Sequence, residues 1–111
     1  MTQEQELIFG LTRWSQKAHD YLGSETINEM LEDEKTFDAI CYCIEIVSEI
    51  SKKILEYPSL IEEYKAINFL NLSLLKDKCF VGDNININLI FNLAKSDLVN
   101  LVLVLKSKEI K

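Results

Sequence analysis

The residues whose side chains could best bind or react with a ligand lie between positions 76 and 83. Lys76-Asp77-Lys78 places two ammonium groups beside a carboxylate, and Cys79 and Asp83 follow closely. A cation can hold a phosphate, but cleaving a phosphodiester also requires a group that moves a proton near neutral pH, which is the usual task of an imidazole. The plainer interpretation of the triplet is a solvated helix end, where cations suit the negative end of the helix dipole.

The histidine and the three cysteines do not indicate a second reactive or metal-binding site. The only histidine, His19, stands beside Asp20 near the inner edge of a helical pattern, which is typical of a surface or interface residue. Cys41 and Cys43 are two helix positions apart and point in different directions, and Cys79 makes the count odd. We predict three small apolar residues, with no disulfide framework and no metal or cofactor site.

Size and charge set the broad class. The 111 residues predict a single domain over 1–111, with one proline and three glycines to interrupt it. The net charge of −6 is uneven: residues 1–64 carry 14 acidic and 5 basic side chains, and residues 65–111 carry 4 and 7. This balance disfavours DNA binding and leaves room for a phosphate contact in the second half. The acidic half could face a basic partner or be merely a solvated surface, which is the commoner case.

Nothing in the pattern indicates secretion or insertion into a membrane. The N-terminus is polar, and the longest apolar run, residues 99–105, is much shorter than the roughly 20 residues of a membrane span. We therefore expect a cytoplasmic protein with no membrane partner.

Long apolar periodicities predict an all-α protein in the first half of the chain. Residues 36–55 carry an apolar stripe at steps of three and four and should form the central helix. Capping boxes at Thr2 and Thr26 predict helices that begin there, the first ending at Gly23 and the second spanning 26–32. A short segment over 60–64 follows Pro58.

In the second half we predict a helix over 67–80 capped by Gly82. Residues 84–89 alternate in polarity like a strand but have no apparent partner, so we interpret them as an extended connector whose isoleucines enter the core. The last helix should begin near Asn88, and residues 106–111 should form a frayed basic tail. Because this helix is apolar on more than one face, a homodimer is expected.

The order of these elements, together with several short motifs, resembles the HepT-like toxins of the HEPN superfamily over about residues 7 to 105. The matching pieces are Asp38-Ala39, Val47-Ser48-Glu49-Ile50, Tyr57-Pro58, Phe69 with Leu72, and Leu89-Ile90-Phe91. The resemblance implies an up-and-down bundle of four or five helices, a homodimer, a minimal nucleotidyltransferase as partner, and metal-independent cleavage of single-stranded RNA.

The active motif of that family is only partly kept. Its Arg aligns with Lys76, its Asn or Asp with Asp77, and its His with Val81, while Asp83 replaces the Tyr that the nucleotidyltransferase modifies. Lys76 lacks the bidentate fork of arginine, and Val81 cannot exchange a proton. Lys76 and Asp77 are thus degenerate catalytic positions.

Three functions stay open at this point. The leading one is a catalytically impaired HepT-like homodimer that binds or assembles with a nucleotidyltransferase. The second is an active ribonuclease toxin with a displaced acid/base, for which Cys79 or His19 would be needed. The third is an unrelated helical adaptor whose acidic half docks a basic protein.

Overall fold

Three long helical segments make up most of the fold in the computed structural model, which describes residues 1–107. Two of them, α1 and α3, run antiparallel, and Gly10 lets them approach closely because a Cβ there would lie 3.1 Å from Ile50 Cδ1. The elements are α1 (Gln3–Leu22), α2 (Ile27–Glu32), α3 (Glu34–Ile54), α4 (Pro58–Glu63), α5 (Phe69–Ser73), α6 (Leu75–Cys79), β1 (Phe80–Val81), β2 (Asn84–Ile85), α7 (Ile87–Asn92), a π-helical turn (Leu93–Asp97) and α8 (Leu98–Ser107).

The core lies between α1, α3 and the last helical segment. Central positions of α3, among them Ile40, Ile44 and Val47, are fully buried. α8 packs along α1, and α5 and α6 pack against α3. The expectation of a predominantly helical fold is therefore confirmed.

The helix starts predicted in the first half are confirmed by their hydrogen bonds. Thr2 and Thr26 each accept an amide three residues later within a complete capping box, and Gly23 ends α1 at a φ of 56°. The central helix starts two residues earlier than predicted, because Asp33 accepts hydrogen bonds from both the amide and the hydroxyl of Thr36.

The single helix predicted over 67–80 is wrong. The chain there forms α5 and α6, which are separated at Leu74 with φ −96° and ψ 0°. Apolar periodicity continues across the break and so hides it. The hydroxyl of Ser48, on α3, hydrogen bonds on both sides of the break, to Ser73 and to Lys76.

The extended connector predicted over 84–89 is also wrong. Residues 84 and 85 pair antiparallel with Phe80 and Val81 around the Gly82-Asp83 turn, and the amide of Asn86 donates to Cys79 O. Gly82, at a φ of 60°, belongs to this turn and does not cap a helix. Ile85 remains 48% exposed and so does not enter the core.

The last helical segment begins earlier than predicted and is not α-helical throughout. Asn86 caps α7 in place of the predicted Asn88, and a π-helical turn separates α7 from α8. By length and composition, Ile87–Ser107 could also cross a bilayer, a test that core helices of soluble proteins pass as well. About a third of this apolar stretch is buried in the fold, with Leu98 and Val102 among its buried side chains, and a single helix of this kind is weak evidence of a membrane span. Most of the predicted basic tail, residues 108–111, lies outside the described residues.

Candidate functional site

The four aligned motif positions lie on one corner of the fold, formed by α6 and the β1–β2 hairpin. Lys76 and Asp77 are exposed in the first turn of α6. Val81 is in β1 with 61% of its surface exposed, and Asp83 is in the hairpin turn. The structure thus places the candidate residues together at the surface.

Ser48 positions this corner. Its side chain is completely buried, its hydroxyl donates to Ser73 O at 2.7 Å, and it accepts the amide of Lys76 at 3.3 Å. One side chain of α3 therefore satisfies a carbonyl before the helix break and an amide after it. Ser48 belongs to one of the short motifs on which the resemblance depends, but its role in holding α6 was not predicted.

The side chains at the corner lack a proton-transfer partner of the imidazole type. In the described part of the chain, neither Lys76 nor Asp77 forms an ion pair. Val81, where the resemblance requires the histidine, offers only an aliphatic surface. The arrangement can attract an anion through Lys76 and Lys78, but it has no imidazole, and its acidic groups are the carboxylates of Asp77 and Asp83.

His19 serves elsewhere. Its Nδ1 lies 2.9 Å from the carbonyl oxygen of Ala94, within the π-helical turn. In this turn the amide of Leu98 donates to the carbonyl of Leu93, five residues earlier, and not to the carbonyl of Ala94, four residues earlier. The imidazole of His19 is the donor to the Ala94 carbonyl instead. Because a carbonyl only accepts, Nδ1 carries the proton.

Cysteine does not supply the missing group either. Cys79 and Cys43 are fully buried, as predicted, whereas Cys41 is only partly buried. Burial raises the pKa of Cys79 and of Cys43 to about 11. Burial, followed by the nearby Asp38 carboxylate, raises the pKa of Cys41 to about 12. These thiols remain protonated at neutral pH and are poor nucleophiles or bases.

No cluster of three or more histidine, cysteine, aspartate or glutamate side chains within residues 1–107 could hold a metal ion. A scan against protein-family models, a search of curated proteins and a search of solved structures each find no match to this chain. The functional assignment consequently depends on the geometry of this chain.

Exposed aliphatic side chains occur in the segments before and after α6. Leu70 is 57% exposed, and Leu74, one helical turn later, is 37% exposed. Leu70 and Leu74 precede Lys76 and Asp77 in the chain, and exposed Val81 follows them. Adjacent exposed aliphatic groups are typical of a surface that another chain covers.

Proposed function

We propose that this protein is a HepT-like homodimer with an HEPN-like helical bundle, that its RNA-cleaving activity is lost or greatly weakened, and that it acts in the cytoplasm as a binding or assembly partner of a minimal nucleotidyltransferase. The helical order and the motif alignment at Lys76 and Asp77 support the family assignment. The surface chemistry of the same corner supports the loss of activity.

The observation that carries the proposal is the exposed aliphatic side chain of Val81 at the histidine position. Loss of a positioned acid/base lowers a rate by about a hundred- to ten-thousand-fold. The only histidine of the chain is engaged with Ala94 in the π-helical turn, and Cys79 is buried and protonated. Both candidate replacements for the missing imidazole are therefore poorly suited to the task.

Exposed apolar surface supports the dimer. Leu70, Leu74 and Val81 are exposed around the motif corner, and Leu103 on α8 is 63% exposed. A two-fold contact uses the same patch on both copies, so a patch centred on α6 would bring both motif positions to one seam.

The direct test is cleavage of single-stranded RNA by the purified protein. We expect no cleavage above background, because no imidazole stands at position 81. Cleavage that Lys76→Ala or Asp77→Ala abolishes would instead favour the active ribonuclease.

A reconstruction tests the scaffold itself. The double variant Lys76→Arg/Val81→His restores the family's residue types, and both positions are exposed, so folding should be preserved. We expect the double variant to gain RNA cleavage and the matched Lys76→Arg single variant to remain inactive. A double variant that folds and dimerises but never cleaves RNA would count against the HepT-like assignment.

Partner binding is tested by co-expression with a minimal nucleotidyltransferase, where the neighbouring gene encodes one. Co-purification of the two proteins that is weakened by Leu74→Ser would support the assembly role. Light scattering on the isolated protein measures the dimer, and a monomer at all concentrations would contradict that part of the proposal.

A further inference from the structure

Two grooves flank the N-terminal turns of α1, away from the motif corner. The first has a volume of about 620 Å³, and the second about 670 Å³. Neither is lined by a residue of α6 or of the hairpin. An inference drawn from them is therefore independent of the proposed function.

The first groove combines an apolar floor with an acidic rim. Ile8, Leu60 and Tyr64 form the floor and are each at least nine-tenths buried. Phe9 stands at the side with 58% of its surface exposed, which is unusual for a residue of that size. The carboxylates that line this groove are Glu4 and Glu63.

The second groove repeats the combination on the other side of α1. Its apolar lining includes Leu7 and Ile50, and its charged lining is Glu6, Glu56 and Lys53. The two grooves together thus present four carboxylates. The opposing positive charges in the linings are the ammonium of Lys53 and the α-amino group of Met1.

The ridge between the grooves is held in place by hydrogen bonds to the loop before α4 and to α4 itself. The hydroxyl of Tyr57 donates to Gln3 Oε1 at 2.8 Å, and that of Ser59 donates to Glu4 Oε2 at 2.5 Å. These contacts join the first turn of α1 to a segment more than 50 residues away in sequence. The grooves are therefore preformed, which reduces the entropy lost when a ligand binds.

The acidic side chains are only partly explained by the fold. Glu4 and Glu6 suit the positive end of the α1 dipole. Glu56 and Glu63 have no such position, and across residues 1–107 the ion pairs are Lys52 with Glu49 and Lys65 with Glu62. Carboxylates without cationic partners beside an exposed Phe9 leave this surface able to accept cationic groups from another molecule.

We propose that these two grooves together form a docking surface for a basic amphipathic segment of another protein. Its apolar side chains would cover Phe9 and enter the first groove, and its Lys or Arg side chains would pair with Glu63 and Glu56. A second copy presenting the same surface would bring carboxylates against carboxylates, and a nucleic acid would be repelled in the same way.

The test uses a fluorescent helical peptide of about 18 residues, five helical turns, with leucines on one face and lysines on the other. The matched peptide carries glutamate in place of lysine. Anisotropy should show binding of the lysine peptide alone, weakening as salt rises. Phe9→Ser and Glu63→Lys should each lower the affinity about tenfold or more.

The control is Leu31→Ser, which removes a side chain of 47% exposure from α2, outside both grooves. It should leave the affinity unchanged. Equal binding of both peptides, or an equal loss in the Leu31 variant, would overturn the proposal. A dimer in light scattering that Phe9→Ser converts to a monomer would also overturn it, because the surface would then be occupied by a second copy. Circular dichroism verifies the fold of each variant, and Glu63→Lys provides the test if Phe9→Ser fails to fold.

Discussion

Replacing Ser48 with alanine should destabilise the protein by releasing the corner that carries Lys76. The hydroxyl makes two hydrogen bonds in a fully buried position, one to Ser73 O and one from the amide of Lys76. Each lost bond to a group that water cannot fully reach costs about 1 kcal/mol, giving about 2 kcal/mol in total. Alanine recovers about 0.5 kcal/mol through its higher helix propensity.

Ser51 provides a matched control one helical turn later on α3. It is also fully buried, but its hydroxyl donates to Val47 O, a carbonyl inside the same helix. That carbonyl keeps its helical amide donor when the hydroxyl is removed, and such back-bonding stabilises a helix little. Ser51→Ala gains the same propensity, so propensity cancels when the two variants are compared.

We therefore expect Ser48→Ala to be less stable than Ser51→Ala by about 2 kcal/mol in the free energy of unfolding. For a domain of this size the melting temperatures should differ by about 8 °C. Urea titration followed by circular dichroism measures the first quantity, and calorimetry the second. Equal stability of the two variants would refute the assignment of Ser48 as the residue that joins α6 to α3.

Three further predictions concern groups buried or partly buried elsewhere in the fold. His19→Ala should lower the free energy of unfolding, measured by urea titration, by about 1 kcal/mol because the Ala94 carbonyl loses its donor. Nitrogen NMR of the neutral wild-type ring should show the proton on Nδ1, and a proton on Nε2 would contradict the contact. Burial, and then the Asp33 carboxylate, raise the pKa of Glu25 above 4.5 in the folded protein. The protonated carboxyl of Glu25 therefore contributes to stability in full below pH 4.5, and this contribution is lost as pH rises through the pKa of the folded state. Glu25→Gln should accordingly be more stable than the wild type at neutral pH and lose this advantage below pH 4.5, as measured by urea titration at both. The Cys41 thiol, with its pKa raised to about 12, and the other two thiols should resist a thiol reagent at neutral pH until the protein is unfolded, and rapid labelling of the folded protein would be the opposite result.

Local signals predicted the first half of the fold well because its helices begin and end at residues with specific chemistry. Thr2 and Thr26 can each cap a helix through a hydroxyl, and Gly23 can adopt a positive φ at no steric cost. The stripe on α3 specifies which face enters the core. Such features act within a few residues of each other, so they are visible in a sequence without knowledge of the tertiary contacts.

The second half was predicted less well because tertiary contacts determine it. The break at Leu74 follows a continuous apolar pattern, and the Ser48 hydroxyl that supports it comes from a different helix. A signal for the hairpin was present: Gly82-Asp83 is a favoured two-residue turn, flanked by Phe80-Val81 and by Asn84-Ile85. Such short strands are stable only when packed, and half-buried Phe80 supplies that packing.

At the candidate site, a motif alignment compares residue types but gives no information on which side chains the fold brings together. The resemblance aligns Val81 with the histidine of the HepT-like motif, but an alignment cannot show whether another group of the chain could serve in place of that histidine. The contact between His19 and Ala94 bears directly on that question, and it depends on a π-helical turn that has no recognisable sequence signature. If the corner is a scaffold from which only the proton-transfer group is missing, a single imidazole at position 81, with arginine at 76, should be enough to restore cleavage.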